Sequence, residues 1–298
     1  GLLSPGVLTL NKSVVTAGTK DILTITGTGF GTITNKGKVW FSNADDGGST
    51  FFAALDTQVL TWGDTQITVE VPSRAGTGPI FVEDSNNAQS PLSSTLIVSY
   101  SETNVIYNPG SGDEAYPVQH FNENTSGGYT WEMHTDFFND TEHPGAKADF
   151  ENAFNQWVCQ TGINWTISAT PTTTDVIGIV NLTAPFDGAL DDDDKNVIRF
   201  DNGNELEVNV LGVCYSWISS CNGTDWLVTS LDIVFDDAEN WHFGSGLPEI
   251  SQIDFQSVAL HELGHGHQLS HVIDNVFNGD NQDDVMHYAL QYSEQQRV

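Results

Sequence analysis

Residues 261–271 read HELGHGHQLSH, which places four of the chain's nine histidines within eleven positions. His261 and His265 are four residues apart, so on an α-helix they project from one face about one turn apart. That geometry lets two imidazoles ligate one Zn²⁺ without bending the backbone. Glu262, one position on, is turned away by about a third of a turn. There it is placed to take a proton from a zinc-bound water instead of becoming a ligand itself. A third ligand has to come from beyond the helix, and His271 is six residues after His265. His267 falls on another side of the helix and is expected to meet solvent or a partner outside the coordination shell. For His271 to return to the metal the chain must turn sharply. Gly264 and Gly266 lie too early for that turn, because a break there would detach His265 from the helix that aims it. Gln268 is therefore the expected pivot, with φ > 0 at a cost of ~1–2 kcal/mol.

The remaining 287 or so positions set the context. The 298 residues suffice for two domains with ample core. No apolar run approaches the ~20 residues that a membrane helix requires. Gly1 without a methionine fits a processed product from which a signal peptide has already gone. The net charge of −31 is uneven: residues 1–101 hold eight acidic and five basic residues, and the rest hold 32 and four. Such a surface repels nucleic acid and anionic membranes and favours cations. It suits solubility in a saline habitat, and equally dedicated Ca²⁺ sites. Of three cysteines, Cys214 and Cys221 in CYSWISSC could close a short loop in an oxidising environment, leaving Cys159 over.

The first hundred residues read as all-β. DILTITG, KVWFS, QITVEV, PIFVED and STLIVSY alternate, separated by Gly, Asn, Asp and Pro. This is the spacing of a small β-sandwich. SPG at the start, LTITGTGFG, TQITVEVP, AGTGPIFV and LIVSY together resemble an immunoglobulin-like IPT/TIG domain over about residues 4–100. From Ser101, SETNVIYNPGSGDEAYP reads as a polar linker. Beyond it come a strand at YTWEMH and an amphipathic helix over Lys147–Cys159, with Phe150, Phe154 and Trp157 on its apolar face and Gly162 at its end. INWTIS, VNVLGVCYSWI and WLVTSLDIVF read as strands, the last two after a long acidic loop. The segment PEISQIDFQSVALHELGHG reads as a helix with a Ser251/Asp254 capping box and with Leu260 and Leu263 facing inward.

HELGHGHQLSH resembles the extended zinc motif of the metzincin metallopeptidases, HExxHxxGxxH, and DVMHY at 284–288 resembles their Met-turn. The resemblance implies a multi-domain chain: an immunoglobulin-like sandwich over residues 1–101, then an α+β metzincin-like catalytic domain over 102–298. It implies Met286 beneath the metal and Tyr288 as an additional, displaceable zinc ligand, as in astacins and serralysins. KADFENAFNQWVCQTGINWTI is similar to the backing helix and following strand. LDIVFDDAENWHFG is similar to a matrixin segment ending in calcium-binding residues, which implies Ca²⁺ at Asp236 and Glu239. Two positions depart: Gln268 stands where the motif has glycine, and Val272 where astacins have glutamate.

The function expected is a secreted zinc endopeptidase. Zn²⁺ would be held by His261, His265 and His271, with Glu262 and Tyr288 as catalytic residues and a protein or peptide as substrate. The substrate would pair with an edge strand near Leu211–Trp217. The alternative is a catalytically weak calcium- or surface-binding protein that uses the same fold as a scaffold. Nucleic acid is not expected as a partner, nor is a membrane span. The first domain is expected to serve attachment and to be dispensable for cleaving short peptides.

Overall fold

The computed structural model describes residues 4–120, 128–176, 195–203, 205–220, 222–273 and 284–297. Cys221 and residues 187–194 of the acidic loop fall outside the described residues, and within the rest of that stretch Asn196–Phe200 is a strand and not loop. The chain is rich in β-structure, with few helices, and forms two compact units. One contains residues 1–117 and 268–288, and the other contains 118–267 and 289–298.

In the first unit, a four-stranded antiparallel sheet runs Thr9–Leu10, Ile22–Thr26, Gln66–Glu70, Val59–Trp62. A three-stranded antiparallel sheet runs Phe51–Ala53, Lys38–Asn43, Ala75–Glu83, and Val14–Ala17 pairs with Ile97–Ser101. Alternation puts Leu23 and Ile25, Ile67 and Val69, Val39 and Phe41 inward, all essentially inaccessible to solvent. Each such side chain contributes about 1.5–3 kcal/mol of transfer free energy. Trp62 caps this core and donates its Nε1–H to the Phe30 carbonyl at 3.0 Å.

The stretch read as a linker is instead a β-hairpin. Asn104–Tyr107 pairs antiparallel with Glu114–Pro117, around a turn in which the Asn108 side chain accepts the Gly110 N–H at 2.8 Å. The Gly/Pro cluster that suggested an open connection is the hairpin's turn. Residues 268–273 also belong to this unit. Thr103 N–H donates to the Gln268 carbonyl at 2.8 Å, Ser270 N–H to that of Ser101 at 3.0 Å, and Leu269 forms a bridge with Glu102.

The second unit is built on a mixed sheet. Val118–His120 pairs parallel with Trp226–Val228 at one end of Trp226–Phe235. At the other end, Asn196–Phe200 pairs parallel with it, followed by Thr130–Met133 and Thr166–Ile167. Gly212–Ser220 lies antiparallel along the opposite side of Trp226–Phe235 and, among the described residues, pairs with no further strand. Residues 230–235 are all buried, as expected for a strand covered on both faces.

Among the described residues, three α-helices complete this unit: α1 (Thr135–Phe138), α2 (Ala146–Thr161) and α3 (Phe255–Gly266). Gly162 ends α2 at φ +70°. Phe150 and Phe154 of α2 are buried, and Trp157 ties α2 to α3 by donating to the Leu260 carbonyl at 2.9 Å. Leu260 and Leu263 are buried as expected.

The N-cap of α3 is Asp254, not Ser251. The Asp254 carboxylate accepts from Ser257 N–H at 3.1 Å and Ser257 Oγ at 2.6 Å. Ile253 and Asp254 are still extended, paired with Trp241–His242, so the helix cannot begin earlier. Cys214 is a free thiol and not half of a short loop. Gly212–Ser220 is one continuous strand, so six residues at ~3.3 Å each carry the chain about 20 Å beyond Cys214. A disulfide requires Cα atoms within about 7 Å.

Candidate functional site

His261 and His265 both lie on α3, with ring centroids 4.7 Å apart and planes at 87°. His271, six residues after His265, belongs to the other unit. All three are partly exposed. Imidazole nitrogens are donors that suit Zn²⁺, which binds them at about 2.0–2.1 Å.

The return of His271 depends on the end of α3. His267 is the last residue with near-helical angles, at φ −74° and ψ 4°, and Gln268 follows at φ +65°. Position 268 is where helices usually carry a left-handed glycine. Gln268 takes that conformation with a side chain only 5% exposed. His267 has partners outside the coordination shell, one of the two surroundings expected of it. Its ring is sandwiched between Trp165 and Trp157, with centroids 4.3 and 4.5 Å away. Burial pushes its pKa down to about 3, so it stays neutral.

Glu262 is 4% exposed. It accepts a hydrogen bond from the Cys214 backbone, while Oε2 has no hydrogen-bond partner among the described residues. Burial raises its carboxyl to about 8, with the Cys214 bond opposing. A divalent cation on the adjacent histidines would favour the carboxylate and bring this value down. Gly212 makes room for it: a Cβ there would sit 3.0 Å from Glu262 Cγ. The edge strand expected to receive substrate thus runs beside Glu262, with the N–H of Cys214 already taken. A buried carboxylate oxygen lacking a partner, on the same helix as two neighbouring imidazoles, is the arrangement a zinc-binding helix needs, and His261, Glu262 and His265 fit the metal.

Residues 284–288 form a turn beside His271. Val272 N–H donates to the Met286 carbonyl at 2.9 Å, Tyr288 N–H to that of Val272 at 3.2 Å, and Val272 bridges His287 in parallel. Met286 is 7% exposed and packs as a core residue. Tyr288 is 37% exposed, and its phenol ring lies against Gly47.

Of the two residues implied for calcium, Asp236 falls in an acidic group with Asp201 and Asp237, their oxygens within 4.8 Å of one another. Glu239 is not part of that group, and its carboxylate accepts the Asn240 N–H at 2.7 Å. Asp201 and Asp237 carried no motif in the sequence. Burial, then the neighbouring Asp201, raises the Asp237 carboxyl.

A family model for the IPT/TIG domain matches residues 6–100. Residues 6–100 are an IPT/TIG domain. A search of the curated proteins finds no match. Among solved structures, the gamma-CGTase of alkalophilic Bacillus clarkii shows 23% identity at a TM-score of 0.25. That overlap covers 36% of this chain and 15% of the other, too little to bear on fold or activity.

One residue of the IPT/TIG domain reaches the histidine segment. Asp45 Oδ1 bonds His271 Nδ1 at 3.0 Å, and this bond, against opposing burial, holds the Asp45 carboxyl below its ordinary range. Nothing in the sequence around Asp45 signals a partner 226 positions away. Asp45 within the IPT/TIG domain, and Ser101 and Thr103 just after it, all contact residues 268–271. Removing residues 1–101 would take Asp45 and Ser101 away from the segment that carries His271.

Proposed function

We propose that the chain is a secreted zinc endopeptidase of the metzincin type, with an α+β catalytic region following the IPT/TIG domain. The observation that carries this reading is the pair His261 and His265 on α3, with ring centroids 4.7 Å apart, next along the helix to a buried Glu262 with an unpartnered Oε2; His271 would be the third ligand. Bound by the three imidazoles, Zn²⁺ would supply Lewis acidity, polarising a carbonyl and acidifying water. Glu262 would take the proton of the attacking water at Oε2 and pass it to the departing amine. Its bond from the Cys214 backbone holds the carboxylate in one orientation. Tyr288 would lend a displaceable phenol oxygen. An extended peptide would pair alongside Gly212–Ser220, on the side away from Trp226–Phe235.

The acidic balance and the Asp201–Asp236–Asp237 group favour a second reading, a calcium- or surface-binding protein on the same scaffold. The intact Glu262 weighs against it, because loss of that base is the simplest route to an inactive homologue. Among the described residues no helix is long and apolar enough to cross a membrane. The deciding experiment is hydrolysis of an unfolded protein substrate with and without a chelator, alongside zinc analysis of Glu262→Ala. The proposal expects hydrolysis that the chelator stops and zinc restores, and an inactive variant that still holds one zinc. Full activity in Glu262→Ala, or in chelated protein, would sink it.

A further inference from the structure

The turn over residues 43–48 of the IPT/TIG domain is built to hold one carboxylate still. Asn43 caps it, its side chain accepting the Asp45 N–H at 3.2 Å. Arg74 Nε donates to Asp45 Oδ2 at 3.0 Å, and Arg74 Nη2 reaches Asn43 Oδ1 at 3.4 Å. The other carboxylate oxygen, Oδ1, faces His271 Nδ1. An imidazole that donates its Nδ1–H presents its lone pair at Nε2 alone.

We propose that Asp45 is a positioning residue for the metal centre, fixing His271 as the Nδ1–H tautomer so that Nε2 is the nitrogen offered to the cation. The inference rests on the reading of His261, His265 and His271 as zinc ligands. A carboxylate behind a ligating imidazole sets the ring's orientation and raises the basicity of the nitrogen that binds. A second feature of the same turn points the same way. At Gly47, φ is +67°, and a Cβ there would lie 2.5 Å from Cζ and Oη of Tyr288. The turn therefore seats two residues of the proposed centre, His271 and Tyr288, at once. The IPT/TIG domain is in this account part of the catalytic apparatus and not only an attachment module.

Asp45 is half exposed, and such ion pairs contribute little to fold stability, so its removal should leave the protein folded. The test uses the full chain: wild type, Asp45→Ala and the isosteric Asp45→Asn. Zinc affinity is read by competition with a chromophoric chelator, and the His271 tautomer from imidazole ¹⁵N shifts of the zinc-free protein. The expected result is a loss of zinc affinity of about 10–100-fold in Asp45→Ala, with a smaller loss in Asp45→Asn, whose amide oxygen still accepts. His271 should be the Nδ1–H tautomer in the wild type and a mixture in Asp45→Ala. Affinities equal within about twofold, or an unchanged tautomer, would overturn the role of Asp45 and leave the zinc reading standing. A wild type with no zinc affinity would overturn both. Should Asp45→Ala melt early, the tautomer and affinity of Asp45→Asn decide the matter.

Discussion

Arg297→Ala should destabilise the protein by about 3–5 kcal/mol, because it would leave a buried carboxylate without its counter-charge. Asp254 is inaccessible to solvent and caps the helix that carries His261, Glu262 and His265. Its Oδ2 accepts from Arg297 Nε at 2.7 Å, its Oδ1 from Arg297 Nη2 and from Gln295 Nε2, and Arg297 also reaches the Gly244 carbonyl at 2.8 Å. Asp149, also buried, accepts the Gly244 N–H at 2.8 Å, and burial, against the opposing Gly244 bond, raises its carboxyl. Asp254 and Arg297 act on it with opposite sign. Truncating the arginine removes its bidentate hold on Asp254 and leaves two buried acids near each other. Against a total stability of about 5–15 kcal/mol, such a loss is large. Urea unfolding followed by the fluorescence of the eight tryptophans would measure it. Asp254→Asn with Arg297→Met, which removes both charges, should recover much of the loss. A single variant within about 1 kcal/mol of wild type would refute the claim that this pair anchors α3.

Acid should destabilise the fold through His267. Its folded pKa of about 3 lies below the unfolded ~6.5, so as pH falls below ~6.5 only the unfolded chain gains the proton, and about 2 kcal/mol is lost by pH 5. His267→Phe should flatten that slope in pH-dependent melts, and an unchanged slope would assign it elsewhere. Gln268→Gly should leave the melting temperature within a few degrees, relief of ~1 kcal/mol of left-handed strain being offset by lost burial. A β-branched Val at the same position should melt clearly lower, and equal melting of the two would show that the turn is not strained. In thiol labelling of the native protein, Cys159, which is exposed, should react promptly. Cys214, whose thiol burial pushes up, should react only in urea, and peptide mapping that finds it labelled early would contradict its burial.

Much of this was legible in the residues because it is local. Alternation in ILTIT and ITVE fixes which side chains face the sandwich core, and the i, i+4 spacing of His261 and His265 fixes their common face. The pivot at Gln268 followed from where a helix can end without losing His265. What escaped was set by partners distant in sequence. Asp254 takes the N-cap from Ser251 because residues 253–254 are held extended by Trp241–His242. The indoles of Trp157 and Trp165 claim His267, and Asp45 meets His271 only once the chain has folded. The Asn108 turn had the composition of a linker, and only pairing across it makes a hairpin.

The most direct test of the central claim is a crystal structure of the zinc-loaded protein, with the metal located by anomalous scattering at the zinc edge. The account predicts one Zn²⁺ bound at about 2.0–2.2 Å by a nitrogen from each of His261, His265 and His271, with Tyr288 alongside and Gln268 still at positive φ. Zinc bound elsewhere, or held by His261 and His265 while His271 points away, would contradict it.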